Sequence, residues 1–363
     1  MKKSLIALMV ATLPAAAFAD VTVFGTIKGG VEYVDSSKGT KQTNIDDLGS
    51  RIGFKGNEDL GNGLKAIWQV ETGFGIDGQS RTGESSGTFA SRESFVGLSS
   101  NFGTFRLGHL ANYGESDMAQ VNPWESSSNA LQLNAFTRGD GYVKNAVRFD
   151  TPEFAGFQAA FLYGTKEDKR GFIVDPTNPN VAQNTDRETY NLGLSYENSG
   201  FFGKYQYIHE SPIVAGLNLS SKANNKHRIE AGYNANNIFV ALGYRNDKGD
   251  ATVTPQYFLA DAALGTDGRK YESQEYALTA GYQIGAFMPK FTYAQARDMK
   301  IDGVKKDDSG YKQFLLGVDY SLSKRTTVGA QYGEIKADSA YLKSNGQSTD
   351  KIKAFGLNVV HKF

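Results

Sequence analysis

From residue 21 onward, apolar and polar positions alternate in short runs with a period of two, the spacing of strands that bury one face. Runs of roughly 8 to 12 residues recur, about sixteen in all. They cover 21–33, 50–57, 63–73, 91–99, 103–110, 143–150, 156–164, 188–196, 201–208, 227–234, 237–245, 273–284, 288–297, 311–320, 325–335 and 353–363. No long segment keeps apolar residues at i, i+3, i+4 and i+7, so helices are not the main element. The alternation is clearest late in the chain. In 355–363 the odd positions form an apolar row ending at Phe363, while Asn358 and Lys362 fall on the other face. In Ile238–Arg245 the even positions are the apolar ones and Arg245 points away. Tyr190 and Tyr196 bracket Leu192 and Leu194, with Asn191, Gly193 and Ser195 opposite; Tyr276 and Tyr282 repeat this around Leu278 and Ala280. A tyrosine at a strand end buries its ring and keeps its hydroxyl wet, which suits a membrane–water boundary.

The second face decides between architectures. Lys28, Arg106, Arg148, Lys204, Arg245 and Lys290 sit mid-strand among small polar residues. In a barrel they face a water-filled lumen at little cost; on a lipid face each costs about 2–4 kcal/mol near the midplane. On strand 91–99 either Arg92 or Glu93 faces the lumen, and Arg92 is favoured because Phe95 and Gly97 then face outward. Connections alternate in length. The long ones are 34–49, 74–90, 111–142, 165–187, 209–226, 246–272, 298–310 and 336–352; the short ones include 197–200, 235–236 and 321–324. Tight turns on one side and long loops on the other are the plan of an outer-membrane barrel, and closure removes the sheet edges a bilayer does not tolerate. The expectation is an all-β chain: an antiparallel transmembrane β-barrel of about sixteen strands with short periplasmic turns and long extracellular loops.

The first residues read as an address. Met1-Lys2-Lys3, the apolar run Leu5–Leu13 and Ala17-Phe18-Ala19 have the order of a secretory signal peptide cut after Ala19. The expected organisation is a signal peptide at 1–19 and one barrel at 20–363. Residues 1–19 hold two of the 39 Lys+Arg and no acid, so the remainder carries 37 basic against 39 acidic residues. That balance gives no reason to expect nucleic acid. There are no cysteines, which removes disulfides and thiolate metal sites. Gly73-Phe74-Gly75-Ile76-Asp77-Gly78 spells G-x-G-x-x-G, but no helical pattern follows it, so it is not a dinucleotide site. His109, His209, His227 and His361 lack metal-ligand spacing. No cofactor is expected, and no Ser, His and acid show the spacing of a hydrolytic site, so the chain reads as a non-enzyme.

Several segments carry a resemblance. These are Asp20–Glu32, Gly49–Gly56, Glu58–Ala66, Ser94–Leu98, Asn122–Glu125, Asn145–Gly156 and the ending His361-Lys362-Phe363. With them the chain resembles the general porins of Gram-negative bacteria, nearest to the neisserial and betaproteobacterial major porins, over its whole mature length. The resemblance implies a 16-stranded barrel in the outer membrane, assembled as a homotrimer among lipopolysaccharide and passing ions and small hydrophilic solutes. It implies that Phe363 is a signal to the barrel-assembly machinery. It implies that the third long loop, about Ala111–Tyr142, folds into the lumen and carries Glu115, Asp117 and Glu125, with Asp140, toward a basic wall of Lys28, Arg51, Lys65, Arg106 and Arg148. His109 stands where neisserial relatives carry Arg, which weakens the positive charge there.

Opposed acids and bases across a narrow opening set up a transverse field that favours dipolar and charged solutes over apolar ones. The lumen-facing residues lean basic: Lys28, Arg51, Lys55, Lys65, Arg106, Arg148, Lys204, Arg228, Arg245, Lys290 and Lys362, against Glu32, Glu71, Glu230, Glu275 and Asp319. A pore leaning toward anions is therefore expected. Bland alternatives stand beside each assignment. The wall cations can serve lumen solvation alone, Lys290 and Lys362 above all. The loop acids can belong to a solvated loop or to salt bridges that fix it, and Trp124 reads as packing within the loop. The outward row Val21, Val23, Gly25, Ile27, Gly29 and Val31 is smooth enough for a second barrel to approach, or for lipid. An outer-membrane lipase or protease, a host-binding protein acting through its loops, and a soluble β-sandwich are the competing readings.

Overall fold

The computed structural model describes residues 21–36, 41–79, 89–167, 187–212, 214–215, 219–220, 222–255, 268–337 and 351–363. The proposed signal peptide, 1–19, lies outside them, as do large parts of the long connections after 165, 209, 246 and 336. The strands are β1 (Thr22–Ser36), β2 in two parts (Lys41–Asp47 and Arg51–Gly61), β3 (Leu64–Gly73), β4 (Ser94–Ser100), β5 (Gly103–Ala111), β6 (Tyr142–Asp150), β7 (Phe157–Gly164) and β8 (Thr189–Asn198). They continue as β9 (Phe201–Glu210), β10 (Asn224–Ala235), β11 (Ile238–Gly249), β12 (Tyr271–Tyr282), β13 (Phe287–Ala296), β14 (Tyr311–Ser321), β15 (Thr326–Ala337) and β16 (Lys351–Lys362). Each pairs antiparallel with the next, and β16 returns to β1 in the register Thr26↔Lys362 to Ser36↔Ile352, which closes a 16-stranded barrel. Every strand expected from the alternation is present.

The short turns are tight because they use residues that accept positive φ. Ser199-Gly200 and Asn236-Asn237 all lie there, the conformation that matches a hairpin turn to twisted strands. β2 is broken in two by its own side chains. The Asp47 carboxylate accepts the backbone N–H groups of Gly49 and Ser50, and the Ser50 hydroxyl bonds both the N–H and the carbonyl of Lys28. A side-chain turn thus replaces one ladder step, and Lys41–Asp47, expected as loop, pairs with β1 above it.

Register fixes which way side chains point. Thr26, Lys28, Gly30 and Glu32 share the inner face with Lys362, Val360, Asn358 and Gly356 of β16. Val23, Ile27 and Val31 face outward with Phe355, Leu357 and Val359, and all are exposed. On β4 the structure corrects the expectation. Gly97 pairs with the inward Arg106 and Phe95 with Gly108, so Phe95 and Gly97 face the lumen while Val96 and Leu98 face out. Glu93 accordingly reaches Arg106 at 3.0 Å. Arg92 nevertheless enters the lumen as well: residues 91–93 precede the regular strand, the Arg92 N–H donates to Glu71 O at 3.1 Å, and its guanidinium meets the Glu71 carboxylate at 2.5 Å.

Two small residues of the smooth outer row are already used by this chain. A side chain on Gly25 would meet the Phe363 ring at 2.5 Å, and one on Gly29 would meet Ile76 at 3.0 Å.

Candidate functional site

The connection between β5 and β6 lies inside the barrel, and the residues that hold it there can be followed in order. Asn112 caps a five-residue helix, α1 (Tyr113–Asp117), accepting from Glu115 N at 3.0 Å and donating to Gly139 O at 2.7 Å. Asn112 therefore ties both stems of the loop together. The Tyr113 N–H reaches Asn191 Oδ1 at 2.7 Å, and the Tyr113 ring fills the place a side chain at Gly193 would take. Further on, Gln120 N donates to Glu230 at 2.7 Å and Thr279 Oγ1 donates to Val121 O at 2.6 Å. Lys290 Nζ donates to Pro123 O at 2.6 Å, and Trp124 Nε1 donates to Thr292 Oγ1 at 2.8 Å. Ser126, Ser127 and Ser128 surround the Glu32 carboxylate with donors. Gln313 Nε2 donates to Asn129 O and Gln132 O at 2.9 and 3.0 Å.

These bonds frame an apolar contact that alternation alone does not show. Val121, Trp124, Leu131, Leu133 and Phe136 of the loop are buried against Ala241, Ala277, Ala294, Leu315 and Ala354 of the inner wall. Each large side chain so buried contributes roughly 1.5–3 kcal/mol. The signal was in the sequence: alanines and glycines at inward positions, where a watered lumen favours polar groups, opposite leucines in a polar loop. Trp124 packs on the wall over Gly317, with Lys290 Nζ 4.6 Å from its ring, rather than within the loop as expected.

Beyond this core, the returning stem is held by charge. Arg138 forms ion pairs with Asp247 at 3.0 Å and with Glu275, and donates to Val253 O and Ser273 Oγ. Arg245 pairs with Asp247 at 2.7 Å, and Tyr311 OH donates to Glu275 at 2.8 Å. Asp140 pairs with Arg228 at 2.5 Å. Removing ions from water costs several kcal/mol each unless partners and hydrogen bonds replace it, and here two arginines meet two carboxylates. Sequence reading of the loop considered only its acids and so missed Arg138. Its cue was a cation in a loop facing inward acids with no other partner.

The structure distributes the expected site residues unevenly. Glu125 lies 2.6 Å from Lys28, Asp117 2.7 Å from Arg148, and Glu115 3.6 Å from Arg92. The loop acids thus sit in salt bridges to the wall. Arg106 pairs within the wall, with Glu93 at 3.0 Å and Asp150 at 2.6 Å. Among the described residues Arg51 has Glu71 as its ion-pair partner, at 3.9 Å. Lys65 lies beside the short turn after β2, opposite Asp59 and away from the loop. Several residues expected to line water are inward but covered: Arg228, Arg245, Lys290, Glu32, Glu230 and Glu275 are buried beneath the loop. Lys290 in particular binds Pro123 O and Asp319, so it anchors rather than wets. His109 pairs with Ser94 at the start of β4, beside the register shift at Gly108 and Leu110, and packs edge-on to Tyr142 at 5.4 Å. Among the described residues no group of His, Asp or Glu has the arrangement of a metal site.

The comparisons with known proteins agree with this geometry. A family model described as Gram-negative porin matches residues 4–340. The chain is 38% identical over 391 residues to major outer membrane protein P.IB of Neisseria sicca, and 35% identical over 394 residues to that of Neisseria gonorrhoeae, covering all of each chain. Among solved structures it is similar to an anion-selective porin from Comamonas acidovorans (TM-score 0.73, 22% identity, 95% of this chain and all of that one). It is also similar to the trimer form of OmpT from Vibrio cholerae (TM-score 0.65, 15% identity, 95% and 99%). The chain belongs to the Gram-negative porins, and is an outer-membrane β-barrel channel protein rather than an enzyme.

Proposed function

We propose that the chain is a general diffusion porin, passing ions and small hydrophilic solutes passively, with a lean toward anions. The observation that carries this reading is the anchored inner loop. It covers the wall from β8 round to β16 and leaves the wall from β1 to β6 as the side of the passage, with Glu115, Asp117 and Glu125 paired to Arg92, Arg148 and Lys28 at its edge. A narrow opening between low-dielectric walls concentrates a transverse field and orders water, which disfavours apolar solutes. The anion lean is supported by the cations left on the open wall and by the anion selectivity named for the Comamonas porin.

The same reading includes export with residues 1–19 removed, assembly as a homotrimer in contact with lipopolysaccharide, and use of Phe363 in barrel assembly. The trimeric Vibrio porin supports the trimer. The test is single-channel recording of the purified protein in a planar bilayer across a KCl gradient. Stepwise conductance in groups of three with a reversal potential toward Cl⁻ is the expected result. An absent conductance from a folded, heat-modifiable barrel would overturn it.

A further inference from the structure

We infer that anion preference is set not by the cations that the loop carboxylates pair with but by a file of cations, Arg51, Lys55 and Lys362, on the inner face of the β16–β1–β2 seam. This inference rests on the pore reading above and names the residues behind it.

The argument starts from compensation. Where the loop meets the wall, each cation has a carboxylate: Lys28 has Glu125, Arg92 has Glu71, Arg106 has Glu93 and Asp150, and Arg148 has Asp117 and Asp150. Lys204 has Glu197, Arg228 has Asp140 and Glu230, and Lys290 has Asp319. An ion pair of a few ångströms leaves little net potential at the distance of a passing ion. Uncompensated charge is what sorts ions, and among the described residues it lies elsewhere. Lys55 and Lys362 are exposed on the inner face and have no carboxylate within 4.0 Å. Arg51 has only the distant Glu71, which is already bound at 2.5 Å by Arg92.

Register places these three together. Thr26 of β1 pairs with Lys362 on one side and Arg51 on the other, and Thr22 pairs with Lys55. Arg51 and Lys362 are thus two strand spacings apart, roughly 10 Å, and Lys55 lies four residues along, roughly 13 Å. These gaps exceed the Debye length of about 8 Å at physiological salt, so the three fields overlap only in part there; they join into one positive stripe at low salt, where that length reaches about 30 Å, and separate in molar salt, where it falls to about 3 Å. Lys65 continues the line but faces Asp59 across the strand pair, which cancels much of its effect.

The experiment compares reversal potentials in KCl gradients at low and high ionic strength for wild type, for Arg51→Gln/Lys55→Gln/Lys362→Gln, and for Lys28→Gln/Glu125→Gln. Heat-modifiable migration checks that each variant is folded. The triple variant is expected to lower the Cl⁻/K⁺ permeability ratio at least about twofold, and the loop pair to move it less. The wild-type preference is expected to shrink at high salt. A wild type that prefers Cl⁻ beside a triple variant that keeps the same ratio overturns this inference alone. A wild type that prefers K⁺ overturns the anion-leaning pore, and this inference with it.

Discussion

The two sides of the lumen obey the same inward–outward alternation and hold opposite chemistry. From β8 round to β16 the inward positions are largely small or neutral, such as Ala241, Ala277, Thr279, Thr292, Ala294 and Ala354, and the loop covers them. From β2 to β5 they include Arg51, Lys55, Gln69, Glu71 and Arg106, of which Lys55 is exposed and the Arg51 side chain is 34% exposed. Alternation therefore says which way a side chain points but not whether it meets water. The covered half behaves like a protein core with a few paired ions in it. The open half behaves like a solvated surface turned inside out.

That difference is best broken at Arg138. Arg138→Met leaves the fully buried Asp247 and Glu275 with only Arg245 between them, and is expected to cost about 3–5 kcal/mol. Its loop stem loosens, so the heat-modification midpoint falls and the unit conductance rises with added noise. Unchanged values for both would show that the stem is held by its apolar contacts alone. Gly193→Val comes next. A side chain there would lie 2.1 Å from the Tyr113 ring, so α1 shifts off the wall at about 1–3 kcal/mol. Limited proteolysis within 112–119 is expected to become detectable, and continued resistance would count against the contact.

Trp124→Phe keeps the packed ring and removes one hydrogen bond to Thr292, an expected loss of about 1 kcal/mol. A urea midpoint equal to wild type would mean that water replaces the indole N–H. On the open half, Arg51→Gln is expected to change stability by less than about 0.5 kcal/mol. It should nonetheless shift the reversal potential toward K⁺, and a destabilised variant with unmoved selectivity would erase the contrast between the halves.

How far the sequence could be read follows from the same contrast. Alternation recovers the barrel because lipid outside and water inside impose a period of two on every strand. It loses β4 because Ser94, Phe95, Val96, Gly97 and Leu98 put apolar or small residues on both faces, and only the partner Arg106 settles the register. The resemblance implies that Lys28 and Arg148 lie toward the loop acids, and the structure pairs Lys28 with Glu125 and Arg148 with Asp117. The resemblance implies the same of Arg106 and Lys65, but the structure pairs Arg106 with Glu93 within the wall and sets Lys65 at the short turns. Loop shape is written in partners distant in sequence, such as Arg138 with Glu275 and Gln313 with Asn129, and no period reports those.

The seam between β1 and β16 has a consequence in time. Gly25 and Phe363 exchange backbone hydrogen bonds at 3.0 and 3.1 Å, and Gly25 leaves room for the Phe363 ring. Every other pairing in the barrel joins strands that follow one another, so each can form early over a short stretch of chain. This one must wait until all the others exist, because it brings together segments from opposite ends of the sheet and bears the largest loop-closure cost. Until then two open edges persist, each able to recruit a foreign strand. The last bonds made are thus the ones that remove both open edges at once.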